Sequence, residues 1–73
     1  MDDYKFIKAS DVSSRDGIGV EIYRGDTFLM EIFRDDTDKS RIIFMPQETI
    51  ELSVMEDCIR IFKDNIDWNF IEY

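Results

Sequence analysis

The sequence predicts an α+β domain: an antiparallel meander of three or four strands with one helix, late in the chain, packed across one face. Three observations carry this. Apolar and polar residues alternate on both sides of Gly25; Arg41 is followed by Ile42, Ile43, Phe44 and Met45 and then by Pro46; and from Met55 the apolar residues recur at helical spacing.

Tyr4, Phe6 and Lys8 fall on one side of an extended segment and Lys5, Ile7 and Ala9 on the other, which reads as a short edge strand. Residues 10–17 are dense in Ser, Asp and Gly, whose side chains or flexibility compete with regular structure, and read as a loop. Ile18, Val20 and Ile22 then share one face of a strand. Phe28, Met30 and Ile32 share one face of the next, so Arg24, Gly25 and Asp26 sit in a hairpin turn. A two-residue Gly25-Asp26 loop would set Val20 opposite Glu31. An odd loop, such as 23–25 with Gly25 left-handed, keeps the even-numbered apolar residues together and is the expected one.

Residues 35–40 hold turn formers and nothing apolar. The apolar run after them reads as a central strand partly covered on both faces, ended by Pro46, which has no amide to donate. Ser53, Val54, Met55 and Glu56 form a capping-box pattern, in which the Ser53 hydroxyl and the Glu56 carboxylate each satisfy an amide of the other residue. The helix is expected to start at Ser53 and run to about Ile66, with Met55, Cys58, Ile59, Phe62 and Ile66 on its buried face. Residues 67–73 alternate Trp68 and Phe70 against Ile71 and Tyr73 and are expected to dock or to pair as a short strand. The even-numbered hairpin residues Ile18, Val20, Ile22, Phe28, Met30 and Ile32 are expected to meet Met55, Ile59 and Phe62.

With 73 residues the chain is expected to form one domain over 1–73 and to bury roughly 60% of its unfolded surface. Six Phe, three Tyr and one Trp supply a core despite the charge. The single cysteine, Cys58, allows no internal disulfide, the opening residues are acidic rather than basic and apolar, and no apolar run reaches membrane-spanning length. A soluble, cytoplasmic protein is the expectation.

Seventeen acidic residues against nine basic ones give a formal net charge of -8 with no histidine. Such a surface repels phosphate backbones and anionic headgroups and attracts basic proteins, so neither direct nucleic-acid nor membrane binding is expected. Without histidine, triads and histidine metal sites are excluded, leaving Glu21 and Glu31 on neighbouring strands as the nearest approach to an acid–base pair. Carboxylates lining a solvated sheet face explain that pair better. Residues 36–47 invite comparison with a calcium loop, but Arg41 stands where a glycine is needed and Gln47 where a bidentate Glu is needed. Cys58, beside Glu56 and Asp57, reads as an inert core thiol, and Arg24-Gly25-Asp26 as a turn rather than an adhesion tripeptide. No catalytic, cofactor or metal-ligating residue is assigned.

Partner-binding candidates are Asp35, Asp36 and Asp38 in one turn, Glu48 and Glu51 before the helix, Asp64 and Asp67 around its end, and Trp68 as an aromatic anchor with a polar rim. The functional expectation is a small acidic non-enzymatic protein-binding module of the inhibitor, antitoxin or immunity kind that neutralises a basic or nucleic-acid-binding partner. The alternative is a self-associating structural or assembly domain, a homodimer joined through an edge strand or through residues 68–73.

Overall fold

A computed structural model describes residues 3–11 and 16–72. Four strands, β1 (Tyr4–Asp11), β2 (Gly17–Arg24), β3 (Thr27–Asp35) and β4 (Ser40–Phe44), precede a helix, α1 (Leu52–Asn65). The strands form one antiparallel sheet in the order β1-β2-β3-β4. This is the α+β meander with one helix that the alternation and the helical spacing predict.

Val20, Ile22, Met30 and Ile32 project from the two central strands into a core completed by Leu29 and by Cys58, Ile61, Phe62 and Ile66 of the helical region. Ile18, Met55 and Ile59 pack against it half-buried. Ile61 joins the buried face of α1 although the expected stripe omits it. Burial pushes the Cys58 thiol up to about 11, with the nearby Asp57 charge adding to it, so it stays protonated and unreactive at neutral pH.

The hairpin corrects the expected loop. Arg24 pairs with Thr27, leaving the two-residue Gly25-Asp26 turn with Gly25 at φ +60°. The offset needed to keep Val20 opposite Ile32 and Ile22 opposite Met30 comes instead from a β-bulge: Tyr23 pairs with Phe28, and Leu29 is the extra residue. Leu29 turns into the core as a result. Phe28 does not follow its parity there and meets Tyr23 edge-on, ring centroids 5.5 Å apart.

Three further expectations change. β1 extends through Asp11 and β2 starts at Gly17, so the expected loop shortens at both ends, and its residues 12–15 lie outside the described residues. β4 is an edge strand rather than a central one, because a meander leaves its last strand with a neighbour on one side only. The helix starts at Leu52 with Glu51 at the N-cap, and no capping box forms: Ser53, now inside the first turn, donates its hydroxyl to Glu51 Oε1 at 3.1 Å. The Glu51 carboxylate thereby stays at the positive end of the helix dipole. At the other end the Ile66 amide still donates to the Phe62 carbonyl at 2.8 Å.

Residues 67–72 form no strand but dock against the end of β3 and the start of β4. Arg34 Nη1 donates to the Asp67 carbonyl at 2.7 Å, Arg41 donates from Nε and Nη2 to the Trp68 carbonyl at 3.2 and 2.7 Å, and Lys39 donates to the Ile71 carbonyl at 2.9 Å. The Arg41 guanidinium lies 3.7 Å from the Trp68 ring centre and 4.3 Å from that of Phe70.

Candidate partner-binding surface

The acidic turn 35–38 is largely spent on its own structure. Asp35 is buried, and its Oδ1 accepts the amides of Thr37 and Asp38 at 3.0 Å each, closing a side-chain turn over the end of β3. Asp36 is buried too and accepts two parallel hydrogen bonds from Arg34, Nε to Oδ1 at 2.9 Å and Nη2 to Oδ2 at 3.0 Å. The Ile71 amide donates to the same Oδ1 at 3.1 Å. Burial pushes the Asp36 carboxyl up, but the Arg34 and Ile71 hydrogen bonds and the charges of Arg34 and Lys39 outweigh it, and its pKa lies below the ordinary value. Only Asp38 of the three presents its carboxylate to solvent, because it is exposed and the other two are not.

Glu48, Glu51, Asp64 and Asp67 are exposed. They do not form one patch with Asp38: Glu48 and Glu51 precede a helix of 14 residues, about 20 Å long, while Asp64 and Asp67 lie at its far end. Trp68 is 48% exposed, with one edge against Phe62 at 6.4 Å between centroids and its face under Arg41. It therefore both closes the end of the core and presents a surface.

The sheet face opposite α1 carries a constellation that composition alone could not locate. The register aligns Ile7, Glu21, Glu31 and Phe44 in one row across all four strands, and Ala9, Gly19, Phe33 and Ile42 in the next. Phe33 is 1% exposed because its ring lies over Gly17 and Gly19: a Cβ built on Gly19 would stand 2.9 Å from Phe33 Cα and 3.0 Å from its ring, and would also meet the Ile32 carbonyl. Phe44 is 65% and Ile7 56% exposed, and Ile42 is exposed beside them. Glu21 and Glu31, directly opposite one another and half-buried, stand between these apolar groups, and the Tyr23 hydroxyl donates to Glu21 Oε1 at 3.4 Å.

Sequence reasoning brought Glu21 and Glu31 onto neighbouring strands but missed Ile42 and Phe44, which it assigned to a covered strand. The strand order held the missing signal, since the last strand of a meander is an edge whatever its hydrophobicity. No protein family, curated protein sequence or solved structure matches this chain.

Proposed function

We propose that this chain is a non-enzymatic protein-binding module that neutralises a basic partner, and that the partner docks on the open sheet face rather than on the acidic turn. The observation that carries the reading is the row Ile7, Glu21, Glu31, Phe44: two adjacent carboxylates framed by exposed apolar side chains. Carboxylates set among apolar side chains accept charge-assisted hydrogen bonds from a lysine or arginine of a basic surface. Ile7, Ile42 and Phe44 supply the apolar contact around that cation, and the net charge of -8 steers a basic surface toward the chain.

The test is capture of partners from lysate of the source cells after nuclease treatment, followed by titration of the purified pair. Phe44→Asp is expected to abolish binding with little change in melting temperature, and Glu21→Gln with Glu31→Gln to flatten the salt dependence. Capture of no protein, or a captured protein that binds all variants alike, overturns the reading.

Self-association is the second reading, favoured by one observation: Ile42, Ile43 and Phe44 of edge strand β4 are exposed on both faces of the sheet. Face-to-face stacking would set four carboxylates against each other, so a homodimer would pair through the edge. Sedimentation of the purified chain, with Ile43→Lys as the edge variant, separates it from the first reading.

A further inference from the structure

A groove of about 230 Å³ opens between β4 and α1, on the face of the sheet away from the row described above. Its apolar lining is Ile32, Ile43, Ile59, Phe62 and Trp68. The two charged residues that line it, Arg41 and Lys63, are both cationic. On a chain with 17 acidic residues and 9 basic ones, a lining that holds no carboxylate among the described residues runs against the overall charge. Asp64 and Asp67 are neighbours in sequence, yet neither lines the groove.

Arg41 is held in place, and Lys63 stands near the same ring. Arg41 is fixed by the Trp68 carbonyl and by the Trp68 and Phe70 rings, and Lys63 Nζ lies 5.4 Å from the Trp68 ring centre. Apolar walls with a cationic rim fit a molecule with an apolar body and an anionic head. The volume is below the roughly 300 Å³ at which pockets for larger ligands begin, so the body is one short chain or ring.

We propose that this groove binds a small amphiphilic carboxylate, its apolar chain between Ile43 and Phe62 and its head group at Lys63. Trp68 is the only tryptophan of the chain and borders the site, so its fluorescence reports occupancy directly.

The experiment titrates the full chain with octanoate, octanol and octylammonium, following Trp68 emission, and maps the amide shifts of labelled protein at saturating octanoate. Saturable octanoate binding, about fivefold tighter than octanol as for a partly exposed ion pair, is expected, with shifts centred on Ile43, Ile59 and Phe62. Lys63→Gln is expected to remove most of that preference. The net charge of -8 by itself favours octylammonium, so octylammonium binding as tightly as octanoate overturns the proposal. Equal affinity for octanoate and octanol, a Lys63→Gln variant that keeps the preference, or the absence of saturation overturns it as well.

Discussion

Arg34 and Asp36, two residues apart at the exit of β3, form a buried two-hydrogen-bond ion pair whose remaining donor and acceptor capacity holds the segment after the helix. Asp36 is the first residue beyond β3, and the turn it opens brings its carboxylate onto the Arg34 guanidinium. Arg34 then reaches the Asp67 carbonyl, and Asp36 receives the Ile71 amide. One local pair thus ties the end of the sheet to a segment more than 30 residues away.

Removing one partner leaves the other charge buried and unpaired. Asp36→Asn is expected to destabilise the fold by about 3–5 kcal/mol, a large part of the stability of so small a domain. Urea unfolding of Asp36→Asn, of Arg34→Met and of the double variant checks this. The double variant is expected to lose much less than the sum of the single losses, because it leaves no orphaned charge. Additive losses would show that the two residues act independently.

The depressed pKa of Asp36 fixes the sign of a pH effect. In the unfolded chain this carboxyl titrates at about 3.9, and in the fold it titrates lower, so the folded state binds fewer protons in that window. Its contribution to stability is complete above the unfolded value and is lost as pH falls toward and through the folded value. Unfolding free energy measured between neutral pH and strong acid is expected to decline below about pH 4, and the decline to be shallower in the double variant that lacks the pair.

Two glycines are expected to respond to alanine for different reasons. At Gly19 a methyl group would press on Phe33 and on the Ile32 carbonyl, within a paired sheet that cannot open, and a loss of about 1–3 kcal/mol is expected. A Cβ added at Gly25 would meet no atom of the described residues within 4 Å, and the cost is only the left-handed backbone, about 1–2 kcal/mol. Gly25→Asn is expected to recover much of it, because Asn tolerates that conformation, whereas Gly19→Asn is expected to be worse than Gly19→Ala. Thermal melts of the four variants distinguish crowding from backbone strain.

Ser53→Ala tests the start of the helix. A Ser at the N-cap typically contributes about 1 kcal/mol, but here the Ser53 hydroxyl binds Glu51 on an exposed surface, and a change of no more than a few tenths of a kcal/mol is expected in denaturant unfolding. A loss near 1 kcal/mol would restore the capping box to solution.

Periodicity was enough to determine the strands, the helix and most of the core, though not Leu29 or Ile61, because side-chain direction repeats every two residues in a strand and every 3.6 in a helix. It determined even that one residue of offset had to be absorbed between Val20 and Ile32, as the alternation on both sides demanded. Where that offset went was decided by tertiary packing: the bulge at Leu29 keeps the tight Gly25 turn and adds a side chain to the core, a gain no local signal records. Composition likewise determined the acidity, but not which carboxylates reach solvent. Asp35, Asp36 and Asp38 are alike in sequence, yet one closes a turn, one pairs with Arg34 and one is exposed, because only the folded chain brings donors to particular oxygens. The open face is the same case. Ile7, Glu21, Glu31 and Phe44 span 38 positions in the chain and become a single row only through the register of three strand pairs.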